Sequence, residues 1–320
     1  GEEIQKHGLS FIPLPFSRKS TNPFGEACTL FALMQLYRKI KPDLIHHVSI
    51  KPVIYGSIAA RVLRNVPVVN AIPGLGFVFS SPKASRVLRF IVRLAYKWAL
   101  NYPNSKTIFQ NADDMHQFTE ESLVQVEKTI LIRGSGVNCN LFRPTPIPSG
   151  SPVVLLASRM LWDKGIGDFV EAARLLHHSH PEVRFVLVGQ IDEGNPTSIP
   201  LETLSGWINE GIVEWWGQRE DMPHVLSQAH MVVLPSFYGE GLPKILLEAA
   251  ASARPIIATD IPGCREIVRH GVNGILVPPR DVQALANAIS ELLSAPKLMR
   301  YMGAAGRAIA EEEFAEEIVI

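Results

Sequence analysis

Cysteine is scarce in this chain: there are three, Cys28, Cys139 and Cys264, in 320 residues. They are widely separated, and no C-x-x-C spacing suggests zinc. An odd, scattered set is also no disulfide framework, so a reducing cytoplasm is the expected compartment. No apolar run is long enough to span a bilayer, and no signal-peptide pattern is present. The chain opens at Gly1 in mid-passage, so an upstream segment is expected to be missing, which leaves the question of a targeting sequence open. No repeat of solenoid type occurs. Net charge is lacking too, with 31 basic and 31 acidic residues. The balance conceals a partition: residues 1–150 hold 18 Lys+Arg against 9 Asp+Glu, and residues 151–320 hold 13 against 22. A basic half joined to an acidic half suggests different partners for each, or complementary charge between them.

What is abundant is apolar surface. Hydrophobic residues make up 47% of the chain and charged residues 19%, which suits a globular protein with large cores. The length fits two domains. Strand, loop and helix patterns alternate throughout. In the first half, strands are expected at Leu9–Phe16, Val66–Asn70, Thr107–Gln110 and Thr129–Ile132, and Pro42–Val48 reads as a turn followed by a strand. Helices are expected at Phe24–Ile40, Ser57–Leu63 and Pro82–Leu100, with Asn111 to Asp114 capping another. The run Pro144-Thr145-Pro146-Ile147-Pro148-Ser149-Gly150 is the best linker in the chain. It divides the protein into domains at 1–146 and 147–320. The second half predicts strands at Val153–Ala157, Arg184–Val188, Gly211–Trp216, His230–Leu234, Pro255–Thr259 and Gly274–Val277. Helices are expected at Ile166–His177 and Asp281–Leu293. This alternation implies an α/β protein of two doubly wound parallel sheets.

One stretch organises the second half: Ser236-Phe237-Tyr238-Gly239-Glu240-Gly241-Leu242-Pro243-Lys244-Ile245-Leu246-Leu247-Glu248-Ala249-Ala250. It follows an apolar strand. Gly239 and Gly241 allow close backbone approach to a ligand, and Pro243 fits a first helical turn. The helix N-terminus favours an anion. Glu240 lies on the loop, and Glu248 lies roughly 7–8 Å along the helix beyond Pro243. Two carboxylates flanking an anion site suit a ligand with phosphate between two sets of hydroxyls, as in a sugar nucleotide. Two glutamates at that spacing alone would more often be a cap and a solvated side chain. Their place on a strand, glycine loop and helix unit raises them above that alternative. Arg159 and Lys164 follow another strand of the same half and can meet a diphosphate.

Arg159, Lys164-Gly165, Val188-Gly189, Trp216-Gly217, Ser236 with Glu240-Gly241-Leu242-Pro243, and Glu248-Ala249, with Pro255 to Gly263 and Asn273-Gly274, together resemble the retaining family 4 glycosyltransferases. The resemblance covers nearly all of the second half. Pro42 to His46, Asn111 to Asp114 and Gly134-Ser135-Gly136-Val137 extend it into the first. The run from Lys51-Pro52 through Gly74-Leu75-Gly76-Phe77-Val78-Phe79 is similar to the subgroup building O-antigen, capsule and glycan precursors on polyprenyl diphosphate.

The resemblance implies a GT-B fold, with two Rossmann-like domains facing a cleft and the N-terminal one incomplete here. It implies catalytic roles for Glu240, Arg159 and Lys164: Glu240 on the transferred sugar, the two cations on the donor diphosphate. Glu248 would bind ribose hydroxyls. Gly241, Leu242, Pro243 and Lys244 would line the donor site, with the base near Gly189, Trp216, Gly217, Gln218 and Arg219. Gly74, Gly76, His46, Gly134 and Gly136 would lie on the acceptor or sugar side. No cofactor and no obligatory metal are implied. Three departures stand out. No glycine-rich unit precedes Leu9, the closing helix stops at Ile320, and Asn70-Ala71-Ile72-Pro73-Gly74 holds no histidine where many members have one. His46 and His47 follow the preceding strand, where a structural role is the first expectation for each.

The expected function is transfer of a hexose or N-acetylhexosamine from a UDP-sugar to a lipid-linked saccharide. A UDP-sugar epimerase of the same fold and a non-catalytic nucleotide-sugar or glycan-binding subunit are the alternatives. Residues 82–100 carry Lys83, Arg86, Arg89, Arg93 and Lys97 among apolar residues, as an interfacial helix on anionic lipid does. The competing expectation is an ordinary amphipathic helix with a solvated basic face. Peripheral contact at the inner face of the membrane follows from the first. Nothing around this helix forms a nucleic-acid recognition motif.

Overall fold

Strand, loop and helix alternate along the chain much as the apolar periodicity requires. The structure is a computed structural model, described over residues 2–14, 23–63, 66–74, 86–237 and 239–319. The chain divides into two compact units. The first comprises residues 1–73, 84–109 and 115–130; the second comprises 74–83, 110–114 and 131–320.

The first unit is built on a four-stranded sheet in the order β1 (Ile45–Val48), β2 (Val68–Ile72), β3 (Ser105–Phe109), β4 (Thr129–Leu131). Strands β1, β2 and β3 are parallel, with Val68 opposite both Ile45 and Ser105. A short α1 (Glu2–Lys6) precedes α2 (Pro23–Ile40), α3 (Ile50–Ala60), α4 (Arg86–Leu100) and α5 (Ala112–Glu120), whose first three residues belong to the second unit. Helix α3 contacts both α2 and α4. It starts seven residues before the expected Ser57, because Pro52 falls in its first turn, where a missing N–H costs nothing. The strand expected at Leu9–Phe16 forms no ladder over residues 9–14. Pro13 cannot donate to one. Pro15 and Phe16 lie outside the described residues, as do Lys83 and the loop residues Leu75 to Phe79.

The second unit holds a six-stranded parallel sheet in the order β10-β9-β8-β5-β6-β7. These are β5 (Val153–Ala157), β6 (Arg184–Val188), β7 (Glu214–Trp215), β8 (Met231–Leu234), β9 (Ile256–Thr259) and β10 (Gly274–Val277). Every residue of β5, β8 and β9 is buried, as expected when helices cover both faces of a parallel sheet. Val153, Leu155, Val232 and Leu234 enter one core with α8 (Met222–Gln228), α9 (Lys244–Ala251), α10 (Pro262–Arg265) and part of α12 (Pro296–Glu313). Val154, Leu156, Met231 and Val233 enter the other with α6 (Ile166–Leu176), α7 (Leu201–Asn209) and α11 (Val282–Ser294). A short α13 (Glu316–Val319) closes the chain as described. The strand expected at Gly211–Trp216 shrinks to two residues, since only Glu214 and Trp215 pair with β6 at the sheet edge.

From β5 the chain winds one way through β6 to β7, then returns to the other side of β5 and winds outward through β8, β9 and β10. Neighbouring β5 and β8 therefore bound the topological switch point. The loops leaving their carboxyl ends meet there, at the position where open α/β sheets bind ligands.

The proline-rich segment 144–150 is tied to the second unit. Arg254, fully buried, donates to the carbonyls of Thr145 at 3.0 Å, Pro146 at 3.3 Å and Leu226 at 2.9 Å. Burial lowers its pKa to about 10, so it stays cationic at neutral pH.

Candidate active site

The loop after β5 runs from Ser158 to Gly165 and contains one 3-10 turn (Trp162–Lys164). The loop after β8 runs from Pro235 to Pro243, and α9 follows. Pro243 is the N-cap of α9, one position earlier than its expected place in the first turn. Three glycines let these loops close on one another. Gly165 has φ +73°, and a Cβ there would overlap the carbonyl oxygen of Pro235. A Cβ on Gly189 would overlap the carbonyl of Ser158, and one on Gly263 the carbonyls of Gly241 and Glu240. Backbone meets backbone at each place, which only glycine permits.

This packing brings Lys164 and Glu240 together. The Lys164 Nζ binds Glu240 Oε1, with side chains 18% and 12% exposed. Ser236, fully buried, sits 2.7 Å from the same Oε1. Two of the three expected catalytic residues thus touch. The third, Arg159, is half exposed and pairs with Asp192 at 2.7 Å. Asp192 lies in the loop after β6, whose contribution the sequence did not disclose.

Glu248 is buried on α9 with Lys244 Nζ 3.9 Å from its Oε1. Burial raises its pKa to about 7, with Lys244 pulling weakly the other way. A carboxyl that titrates near neutrality, on the helix leaving a switch-point loop, marks a candidate functional group. Gly241, Leu242 and Pro243 are buried, while Lys244 is exposed. The Leu242 N–H donates to Gln110 Oε1 at 3.4 Å, and Asn111 Nδ2 donates to the Gly241 carbonyl at 3.5 Å.

The expected base region is joined but lightly. Gly189 N–H donates to the Gly217 carbonyl at 2.8 Å, and Trp215 Nε1 donates to the Gly189 carbonyl at 2.8 Å. Trp216 turns instead towards Glu214 and Arg184, with its Nε1 3.1 Å from Glu214 Oε2. Gln218 is exposed, and Arg219 pairs with Asp221 at 2.6 Å.

The residues expected on the acceptor side scatter. Gly74 packs on the second loop, since a Cβ there would stand 3.1 Å from the Gly239 carbonyl oxygen. Gly134 meets Leu242 of that loop, whereas Gly136 packs on the backbone of Glu316. His46 is an exposed residue of β1 in the first unit, and Gly76 lies outside the described residues. His47 is structural. It is 4% exposed, bonded to Tyr37 Oη and Asn70 Oδ1 at 2.9 Å each, and its ring lies against Gly56.

Cations and carboxylates thus lie on the loops and helix around the β5/β8 switch point, Arg159 paired with Asp192, Lys164 with Glu240, and Glu248 on α9. Comparison with known proteins bears on that chemistry. The family described as Glycosyl transferases group 1 matches residues 151–295, and the Glycosyl transferase 4-like family matches residues 1–111. The chain is 30% identical over 311 residues to N,N'-diacetylbacillosaminyl-diphospho-undecaprenol alpha-1,3-N-acetylgalactosaminyltransferase of Campylobacter jejuni. That match covers 93% of this chain and 80% of that protein. This chain belongs to the glycosyltransferases.

The glycosyltransferase is also 29% identical over 278 residues to the UDP-Gal:alpha-D-GlcNAc-diphosphoundecaprenol alpha-1,3-galactosyltransferase of Escherichia coli, covering 82% of this chain and 69% of that one. Its fold matches that of Anabaena Alr3699/HepE, solved in complex with UDP, with a TM-score of 0.80 at 23% identity over 99% of this chain and 86% of that one. The glycosyltransferase therefore has the GT-B fold expected from the sequence, with a four-stranded and a six-stranded sheet.

Proposed function

We propose that this glycosyltransferase moves a hexose or N-acetylhexosamine from a UDP-sugar to a polyprenyl-diphosphate-linked saccharide, with retention of configuration. The observation that carries the proposal is the convergence of Lys164, Glu240 and Ser236 at the β5/β8 switch point. The lipid-linked substrates named for the Campylobacter and Escherichia relatives support the acceptor class, and UDP in the structural neighbour supports the donor class.

In this proposal Arg159 and Lys164 take the diphosphate and offset the charge that grows on it as the anomeric C–O bond breaks. The leaving diphosphate keeps the electron pair. The acceptor hydroxyl bonds to the anomeric carbon from the same face, and its proton passes to the departing phosphate oxygen. Glu240 contacts hydroxyls of the transferred sugar, and Glu248 the ribose hydroxyls. The cations supply the charge neutralisation, so the scheme calls for no metal.

Binding and transfer with UDP-, GDP- and ADP-sugars test the proposal. A UDP-sugar should bind, Arg159→Ala should weaken it by about ten- to a hundred-fold, and Glu240→Gln should lose transfer. Binding by no sugar nucleotide, or full transfer by Glu240→Gln, overturns it.

The second part of the proposal concerns α4. No described helix is long and apolar enough to cross a membrane. Helix α4 nevertheless turns Val87, Phe90, Ile91, Leu94 and Trp98 outward, each 48% to 68% exposed, while Tyr96, Ala99 and Leu100 are buried. Arg86, Arg93 and Lys97 border that outward stripe on one side at helical spacing. An apolar stripe with a cationic border suits the interface of an anionic bilayer, here at the cytoplasmic face where the acceptor lipid would be met. Vesicles with phosphatidylglycerol should sediment the protein and neutral vesicles should not. Phe90→Asp with Leu94→Asp should abolish the effect; equal sedimentation of that variant overturns the assignment.

A further inference from the structure

We propose that Ser236 is a positioning residue, which commits one oxygen of the Glu240 carboxylate to the protein and leaves the other for the sugar. This rests on the role proposed above for Glu240.

The Ser236 hydroxyl has two oxygens within reach: Glu240 Oε1 at 2.7 Å and the Asp163 carbonyl at 3.1 Å. A hydroxyl carries one proton, so it donates to one of them at a time. The Asp163 carbonyl already receives the Phe237 N–H at 3.2 Å. The shorter, charge-assisted contact to Glu240 therefore takes the proton. Lys164 binds the same Oε1. Among the described residues, no hydrogen bond falls on Glu240 Oε2, which is thus the oxygen left for sugar hydroxyls.

The serine cannot drift from this position. Its carbonyl accepts the hydroxyl proton of Thr259, which is 1% exposed at the end of neighbouring β9. Downstream, Gly263 packs against the carbonyls of Glu240 and Gly241. The loop is held at both ends by the adjacent strand and by α10, and the carboxylate is steered from within it. Lys164 has a second duty, because a bound diphosphate competes for its ammonium group. When the donor draws Lys164 away, Ser236 is the partner that keeps Oε1 in place. Its effect should therefore show in turnover of the bound donor rather than in binding of the nucleotide.

Three variants separate positioning from simple structural support. Transfer from the UDP-sugar donor and affinity for UDP alone are measured for Ser236→Ala, Thr259→Val and Thr259→Ser. Ser236→Ala should lower kcat by about ten- to a hundred-fold, the scale of one charge-assisted hydrogen bond, with UDP affinity within about two-fold of the parent. Thr259→Val should move kcat the same way by less, and Thr259→Ser, which keeps the hydroxyl, should stay near the parent. If Ser236→Ala transfers as fast as the parent, or loses UDP affinity and kcat in parallel, the positioning role is overturned while the donor assignment stands. A parent enzyme that turns over no sugar nucleotide overturns both.

Discussion

Replacing Glu248 with glutamine should leave stability unchanged at acid pH and raise it progressively from about pH 4.5, in full above about pH 7. Glu248 is 8% exposed on α9, with the Lys244 ammonium 3.9 Å away. Burial raises its pKa from the ordinary 4.5 to about 7. Between those values the native protein holds a proton that the unfolded chain has released. Stability must then fall as pH rises through that window, and level off above it. A pKa unit is worth about 1.4 kcal/mol, so the loss is about 3 kcal/mol. Glutamine has the same shape and nothing to titrate, so Glu248→Gln should match the parent at pH 4 and exceed it by up to that amount at pH 8. Urea unfolding of both proteins at pH 4, 5, 6, 7 and 8, followed by a signal from the second unit, measures the difference. A difference that stays flat across the window refutes the reasoning, since burial would then not penalise the carboxylate. The proposed ribose contact adds a second expectation. Ionised Glu248 accepts hydroxyl protons best, so donor affinity should decline below about pH 7 in the parent alone. A residue that costs stability where it is charged, and lies where a ligand would satisfy it, is what a binding function predicts.

Gly165→Ala should lower stability by about 2–4 kcal/mol, because φ there is +73° and the new methyl would overlap the Pro235 carbonyl; a thermal melt unchanged from the parent would contradict the packing described. Arg254→Leu should cost about 3–5 kcal/mol, by leaving the carbonyls of Thr145 and Pro146 without their donor and the Leu226 carbonyl with only the Ala229 N–H. Thermal unfolding reads the loss, and proteolysis should cut first within residues 144–150.

The second half was the more legible because its strands are apolar on both faces. Val153–Ala157, Arg184–Val188 and Gly274–Val277 have the bounds the sequence predicts, since a buried parallel strand reads as an uninterrupted apolar run. Leu9–Phe16 has a similar composition, yet residues 9–14 form no strand; pairing depends on a neighbour, which composition does not supply. Helices α7, α8 and α12 carry no clear signal in the sequence, because their apolar residues are spread among glycine, proline and polar residues. At the site, Lys164 and Glu240 could be expected to converge because both follow strands of one parallel sheet. The Ser236 and Thr259 contacts and the Asp192 pair were not legible. They depend on which strands are neighbours and on a loop conformation, neither of which a single sequence reveals. On α4 the sequence showed basic residues at helical spacing, but not that the apolar residues divide into a buried set and an exposed one. That division comes from how α4 packs beside α3.

The acidic second half is a strange place for the proposed diphosphate site, and local pairing resolves the conflict. Much of its negative charge is already matched: Arg184 with Glu214, Arg219 with Asp221, Arg269 with Glu313, Arg307 with Glu311. Beyond about 8 Å the remainder is screened at physiological salt. In the proposed function a diphosphate meets Arg159 and Lys164, and both hold carboxylates in this structure. The two pairs differ in kind. Lys164 is shielded with Glu240, whereas Arg159 and Asp192 are 50% and 28% exposed. An exposed pair is worth about 0.2–1 kcal/mol, so surrendering Asp192 for a diphosphate costs little. Removing that competitor should then help the donor: Asp192→Asn should tighten UDP binding by up to about five-fold at low salt, and the gain should fade as salt is raised. Weaker UDP binding by Asp192→Asn would show instead that the carboxylate aims Arg159 at its ligand, and that an acidic neighbour is needed to place the cation.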